Sequence, residues 1–400
     1  MSDIPIYWTD PYRNEFDVSI KSMQRVNDYY HITIEEDVIR PAGGGQAGER
    51  GVLIVGNRSV DIIDTISDSG DVVLVSAEGG FKETSGKLRI DMDWRFSMMR
   101  NHTSEHLFVS MVQKRHDEVS IGDLWIDGKQ GTVEILNVEL GLDEIFEIED
   151  EANRVIEKDI PVKTSFIKSN EMDSNIRSRE GLTEKHEKLR VVNIGHRDST
   201  ACSGIHVTRT GEIGFFKVLN VKSGNGKTRI EFAAGLIASS VVSNIYNEVL
   251  KRKHSYPYEM EQLGAVLDKA KEAIDDRKLM TNKITQLLTT GPSYEQAGGT
   301  LFYHEYLPGF DANTLRILAN QFTVSKPSVI LLFAPGQKSQ VILRINDMPK
   351  ESTDYISKTV GQLGGKGGGK GDVFTGGFLD VANPQELYDA LIVAVRKEIS

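Results

Sequence analysis

The chain has a single cysteine, Cys202, so no disulfide can form within it. That fits a reducing compartment. No apolar run approaches the ~20 residues that a membrane helix needs, and the opening MSDIPIYWTD has neither a basic stretch nor an apolar core, so it offers no secretory signal. A cytoplasmic protein without membrane association is expected. Positive charge is also scarce. Lys and Arg together number 47 against 58 acidic residues, and the formal net charge is -11. Such a balance excludes broad, nonspecific nucleic-acid binding, and DNA is not an expected partner. Any RNA contact must come from local basic patches or backbone amides. What remains is ordinary for a soluble globular protein: 39% hydrophobic and 26% charged residues. A length of 400 residues suggests two to four domains, and no internal repeat is visible.

Residues 1–93 read as short strands broken by Gly, Asp and Asn: Phe16–Ile20, His31–Val38, Val60–Ile66 and Val72–Val75. Regular short strands with turn signals predict a small β-barrel or sandwich. A glycine-rich loop, Pro41 to Gly51, stands apart from them. Residues 94–236 read as mixed. Trp94–Lys114 has no Pro or Gly and predicts a helix, Leu142–Lys158 a second, acidic one. Strands are expected at Pro161–Ile167, Leu189–Ile194, Phe215–Val221 and Thr228–Phe232. Residues 237–290 are helical by spacing, with Ile237, Val241, Ile245 and Val249 at intervals of four, an interruption at Pro257, and a second stripe from Leu263 to Leu287. This pattern fits a dimerising arm or a helix packed on its own chain. Residues 291–400 alternate buried-type strands (Val329–Phe333, Val341–Ile345) with helices near Asn313–Gln321, Asp354–Leu363 and Pro384–Glu398. The whole is α+β and multidomain.

Chemistry concentrates at two places. His102 and His106 stand four apart on the first helix, so both imidazoles share one face. Far downstream, Cys202 and His206 are also four apart, with a small Ser-Gly turn between them. One thiolate and three imidazoles make a good tetrahedral zinc set, and one zinc ion per chain is expected on His102, His106, Cys202 and His206. Four protein ligands normally close a structural site, whereas catalytic zinc keeps a position open. A labile ligand, five-coordination or a purely positioning ion would each reconcile this with catalysis. The same residues also spell His102-Thr-Ser-Glu105-His106, the inverted zinc-peptidase pattern, with Glu105 as general base. That alternative leaves Cys202 and His206 idle. A further alternative is an RNA-binding module with a structural zinc.

Three other features are candidates. Glu105, three residues after His102, is either a catalytic base or a partner that orients a ligand. Gln46 sits where glycines permit close backbone approach, and either offers its amide to a substrate or merely belongs to a tight turn. Lys366 and Lys370 lie among consecutive glycines, Gly364 to Gly371. Successive backbone N–H groups there could form an anion nest for RNA phosphate, or the segment is a plain loop. The spacing is not that of a nucleotide P-loop, so no ATP site is expected.

Taken in order, these motifs resemble alanyl-tRNA synthetase without its charging half, and more closely the freestanding alanyl-tRNA editing proteins (AlaX group, long form). The matching pieces are Gly43 to Gly51, Arg100 to Leu107, Cys202 to Val207, Thr210 to Gly214, Arg229 to Glu231 and Gly364 to Gly371. The chain departs from the family's pattern at Ser203 and Ile205. The resemblance implies a zinc site on the four residues above and an editing pocket beside the glycine-rich loop, at Gly43, Gly44, Gly45 and Gln46. Read as chemistry, Gly43, Gly44, Gly45 and Thr103 are the candidates for substrate contact, and Gln46 and Glu105 those for catalysis. It implies a zinc-containing editing domain at 94–236, a helical dimerisation arm at 237–290, and a C-terminal domain at 291–400 with Lys366 and Lys370 on tRNA. With the small barrel at the N-terminus there is no room for the adenylate-forming domain. The implied activity is trans-editing: hydrolysis of the aminoacyl ester of mischarged alanine tRNA carrying serine or glycine, by a cytoplasmic homodimer.

Overall fold

The structure is a computed structural model describing residues 4–116, 118–173, 176–178, 188–253, 258–321 and 326–400. The chain divides into two compact units, Met1–Lys251 and Arg252–Ser400. The division falls inside the helical stretch rather than at residue 237 or 291. Pro257 lies outside the described residues.

The first unit opens with one helical turn, α1 (Ile6–Thr9), and an antiparallel sheet of seven strands: β1 (Glu15–Val26), β2 (Tyr29–Ile34), β3 (Gly51–Val55), β4 (Arg58–Ile62), β5 (Asp64–Asp68), β6 (Asp71–Ser76) and β7 (Ser85–Ile90). Their order is β4-β3-β7-β1-β2-β6-β5. β1 bends at a register shift between Ile20 and Ser22, pairing with β7 before the bend and β2 after it. Such a shift is how one strand serves two halves of a curled sheet. Among the described residues no ladder joins β4 to β5, so the expected barrel is not closed by hydrogen bonds. Ile63 alone carries the chain from one edge strand to the other. The inward residues Phe16, Val18, Ile32, Leu53, Leu74 and Leu88 fill the curl.

Next comes α2 (Met92–Arg115), capped by the Asp91 carboxylate, which accepts from Trp94 N at 3.0 Å. From Asn101 to Val112 every residue of α2 is buried. A helix buried all round must satisfy its polar side chains internally. Asn101 does so by donating to Asp127 O and accepting from Ala234 N; Ser104 donates back to Arg100 O. Around α2 lie a sheet of order β13-β14-β9-β8, built from β8 (Ser120–Ile126), β9 (Gly131–Leu136), β13 (Phe216–Gly224) and β14 (Lys227–Ala234), the helix α3 (Leu142–Glu157), and a sheet of β10 (Val162–Lys168), β11 (Lys188–Ile194) and β12 (Asp198–Ala201). One apolar core joins them, including Leu107, Phe108, Val133, Ile148, Val192 and Phe216. Helix α4 (Gly235–Lys253) follows, with Leu236, Ile245 and Tyr246 exposed.

The second unit begins with α5 (Leu263–Thr290), on which Leu267, Ile274 and Ile284 are exposed. Then comes a six-stranded sheet of order β15-β16-β17-β18-β20-β19. Its strands are β15 (Tyr294–Ala297), β16 (Thr300–Tyr306), β17 (Ser328–Ala334), β18 (Lys338–Asn346), β19 (Lys366–Lys370) and β20 (Val373–Leu379). β17, sequence SVILLFA, is buried at every position, as an apolar run with helices on both sheet faces requires. Helix α6 (Ala312–Gln321) covers one face through Leu315 and Ala319, while α7 (Ser352–Gln362) and α8 (Pro384–Ile399) cover the other through Ile356, Leu391 and Val395.

The glycine-lysine segment is not a nest. Lys366–Lys370 is an exposed edge strand paired in register with β20, Gly368 opposite Thr375. Left-handed glycines stand only outside it, at Gly364 and Gly371. Extended backbone turns successive N–H groups to opposite sides, so they cannot converge on one anion. No described helix is long and apolar enough to cross a membrane.

Candidate metal centre and its cavity

The four residues singled out by spacing come together. The ligand atoms of His102, His106, Cys202 and His206 all lie within 4.8 Å of one another. Cys202 Sγ is 3.4 Å from His102 Nε2 and 3.4 Å from His206 Nε2. Metal–ligand distances of ~2.0–2.3 Å in a tetrahedron give edges of about 3.5 Å, which these two separations match, and the group as a whole could hold one ion.

Hydrogen bonds behind the ring nitrogens fix the tautomers. Gln46 Oε1 accepts from Ile205 N at 3.2 Å, which identifies it as the carbonyl end of the amide; at 2.8 Å from His102 Nδ1 it therefore receives that ring's proton. Thr103 Oγ1 donates to Met99 O at 2.8 Å, so toward His206 Nδ1, at 3.2 Å, it acts as acceptor. Both rings thus carry their protons on Nδ1 and turn bare Nε2 lone pairs toward the sulfur. Lone pairs converging on a thiolate suit a cation between them, and His ligands with oriented second nitrogens are the usual arrangement. The residues present fit a zinc-type metal ion.

The local chain explains why these groups meet. Cys202 leaves the end of β12, its N–H held by Arg190 O at 2.9 Å. Gly204 then passes over His102, where an added Cβ would lie 2.1 Å from the ring carbon Cε1; only glycine fits that approach. Gln46 is delivered by a tight turn. Gly43 and Gln46 exchange backbone bonds at 2.9 and 3.1 Å, and Gly44 and Gly45 between them have φ of 60° and 83°, the type I′ geometry that selects glycine.

Electrostatics follow from burial and mutual contact. Burial pushes the Cys202 thiol up, but the His102, His106 and His206 rings outweigh it and hold it well below its ordinary range. Burial also opposes the charge on His106, yet Cys202 and Asp198 raise it to about 10. His206 falls well below its usual value through burial and the neighbouring His102. Asp198 Oδ2 lies 3.5 Å from His106 Nδ1, and its other oxygen accepts from Arg177 Nε at 2.7 Å. Burial would lift the Asp198 carboxyl, but His106 and Arg177 hold it low.

His102, His106 and Cys202 form one end of a cavity of about 410 Å³. Its walls include Trp8, Ile121, Leu124 and Leu189, with Glu105, Gln113, Arg177, Lys188 and Arg190 as polar members. Of the expected residues, Glu105 faces this cavity, as does Gly44. Gln46 and Thr103 do not. Both are fully buried behind the metal ligands, where they orient His102 and His206. Lys366 and Lys370 belong to the second unit and take no part in the cavity.

Sequence reasoning passed over Asp198, Arg177, Arg190 and Trp8. Arg190 donates to Cys202 O and Gly204 O, lies 5.3 Å from the Trp8 ring, and is lowered to about 10 by burial. Trp8 donates its indole N–H to Ser203 O at 3.0 Å. No spacing in the sequence links any of these to the ligands. A larger cavity, about 780 Å³, is lined by Arg50, Asp61, Arg89 and Trp94 among others. Among the described residues it holds no metal-ligand cluster.

The strands and loop that carry Cys202 and His206 are similar to a known domain. Residues 189–231, from β11 into β14, match the family described as the second additional domain of threonyl and alanyl tRNA synthetases. The likeness extends well beyond that stretch. The chain is 26% identical over 407 residues to the alanyl-tRNA editing protein AlaX-L of Pyrococcus horikoshii, covering 98% of each. The similarity to that editing protein thus runs over the whole chain. It is also 27% identical over 395 residues to the alanine–tRNA ligase of Methanoregula boonei, matching 94% of this chain but only 42% of that enzyme. A crystal structure of the C-Ala domain of Aquifex aeolicus alanyl-tRNA synthetase aligns with 27% of the chain at 18% identity and a TM-score of 0.24, too slight an overlap to define a fold.

Proposed function

We propose that the chain hydrolyses the ester of alanine tRNA mischarged with serine or glycine, using one zinc ion on His102, His106, Cys202 and His206. The observation that carries this is the position of the cluster: three of its four ligands face a cavity large enough for an aminoacyl group and part of a terminal nucleoside. A purely structural zinc has no need of such a cavity. The peptidase alternative is disfavoured because Cys202 and His206, which it leaves unused, stand in the same cluster as His102 and His106.

Zinc bound there would supply Lewis acidity toward a carbonyl or a water. The remaining work falls to the chain. Gln46, Thr103 and Asp198 hold the three rings in place. Trp8, Ile121, Leu124 and Leu189 exclude bulk water, which strengthens every polar contact inside. Lys188 and Arg190 offer positive charge to a terminal phosphate, and Glu105 is the cavity's acidic group. An ester is already activated, so positioning suffices for much of the rate. We further assign residues 1–93 and 94–236 to the editing module, the helices of 237–290 to dimerisation through their exposed apolar stripes, and residues 291–400 to tRNA binding, with Lys366 and Lys370 touching phosphate from the exposed strand β19. The partner is then tRNA, at a homodimer.

The test is incubation of the zinc-loaded protein with Ser-, Gly- and Ala-tRNA(Ala) and, separately, with a peptide library. Release of serine or glycine with alanine retained supports the reading. Peptide cleavage without ester cleavage overturns it.

A further inference from the structure

Among the described residues, seven buried side-chain nitrogen or oxygen atoms have no hydrogen-bond partner, and five belong to residues lining the metal-site cavity. Buried polar atoms are ordinarily paired, so this concentration marks a surface awaiting a polar ligand. One of the five, His106 Nδ1, faces Asp198 Oδ2 at 3.5 Å, and the other four are not alike. Arg177 Nη1 and Arg190 Nε are donors. Gln113 Oε1 is an acceptor two helical turns beyond Glu105. Glu105 Oε1 is the acceptor at the metal end, on a side chain only 2% exposed. Glu105 is also the only carboxylate in the described lining, whereas the cations there are Arg177, Lys188 and Arg190, besides the histidines. Arg177 already pairs with Asp198. The cavity therefore presents one carboxylate beside the cluster, suited to a cation next to a reacting carbon, together with guanidinium and ammonium groups suited to an anion on the same ligand.

An aminoacyl ester at the end of an RNA has that layout. We infer that Glu105 holds the α-ammonium group of the substrate, so that the site accepts esters with a free amine and rejects those whose amine is blocked or replaced. This rests on the reading of the cavity as an aminoacyl-tRNA esterase site. Glu105 Oε2 lies 3.8 Å from His106 Nε2. In an aminoacyl group the nitrogen is two bonds, ~2.5 Å, from the carbonyl carbon. A carbonyl held at the His102, His106 and Cys202 face thus brings its ammonium to the Glu105 carboxylate. Leaving that carboxylate unpaired penalises a substrate without the ammonium, as happens whenever a site built for a polar group meets an analogue lacking it. Peptidyl-tRNA and N-acylated aminoacyl-tRNA would be spared for the same reason.

The test compares seryl-tRNA with its deaminated form, in which a hydroxyl of similar size replaces the ammonium, each rate divided by that substrate's uncatalysed hydrolysis. The wild-type protein should cleave the deaminated form about 100-fold more slowly. Glu105→Gln, with zinc content checked, should lose a similar factor on seryl-tRNA while its rate on the deaminated form stays unchanged. Calorimetry with a non-hydrolysable seryl 3′-amide of adenosine gives a second readout: N-acetylation should weaken its binding to the wild type but not to Glu105→Gln. Equal normalised rates of the wild type on both esters would overturn the inference, as would equal slowing of both by Glu105→Gln, the signature of a proton-transfer or structural role. Failure of the wild type to cleave seryl-tRNA at all would instead strike the parent reading, and calorimetry alone would then decide the role of Glu105.

Discussion

Gln46 offers the sharpest test of how the metal site is built. Replacing it with Met keeps its length and buried volume but removes the carbonyl that receives protons from His102 Nδ1 at 2.8 Å and Ile205 N at 3.2 Å. Two buried donors are left unmade, at ~1–3 kcal/mol each in the folded state. The consequence for the metal is separable from that instability. Without its acceptor the His102 ring is free to rotate and to move its proton to Nε2, the atom that must ligate. Loss of such an orienting partner costs ~10–100-fold in metal affinity, or about 1.4–2.8 kcal/mol. Competition against a chromogenic chelator measures this directly on folded protein. Gln46→Glu keeps an acceptor at the same place and should lie much closer to wild type. If Gln46→Met binds zinc as tightly as the wild type, the residue does not orient His102 and the tautomer argument fails. If both variants weaken binding equally, the effect is one of packing.

The remaining predictions are independent of this one. Glu49→Gln breaks a fully buried pair in which Arg95 Nε and Nη2 lie 2.5 and 2.6 Å from the carboxylate; an uncompensated buried guanidinium should lower unfolding free energy by ~3–5 kcal/mol, seen as a fall in the urea midpoint, and an unchanged midpoint would refute it. A fragment ending at Lys251 coincides with the first compact unit; it should fold, retain zinc and deacylate with poorer tRNA selection, and light scattering should find it monomeric if the exposed stripe of Leu267, Ile274 and Ile284 on α5 makes the dimer. Lys366→Ala with Lys370→Ala should weaken tRNA binding and flatten its salt dependence, since each phosphate contact adds about one to the slope, while saturated turnover is unaltered; an unchanged slope would remove β19 from the RNA interface.

Much of the site was readable because its chemistry follows helical arithmetic. His102 and His106 share a face of a helix with no Gly or Pro, and a lone cysteine four residues before a histidine is a pattern that survives without any knowledge of the fold. Gln46 and Thr103 were legible as important but not in their roles. Their partners are distant in sequence, and burial behind the ligands, rather than exposure to the cavity, is a property of packing. Asp198, Arg177, Arg190 and Trp8 gave no signal because four separate segments deliver them. In the fold, Val60–Ile66 reads as one strand but divides at Ile63, where the chain passes between opposite edges of a curled sheet. Lys366–Lys370 reads as a loop because glycine has little strand preference. Pairing with β20 imposes the strand all the same, a case of tertiary context overriding local propensity.

The central claim, that this cluster is a zinc centre serving ester hydrolysis, is tested most directly by single-turnover hydrolysis of Ser-tRNA(Ala) by zinc-loaded wild-type protein beside Cys202→Ala, with metal content measured on the same samples. The account predicts about one zinc per wild-type chain and rapid release of serine, and in Cys202→Ala the loss of both. Wild-type protein without zinc that still releases serine, or a Cys202→Ala variant that keeps full zinc and full activity, would contradict it.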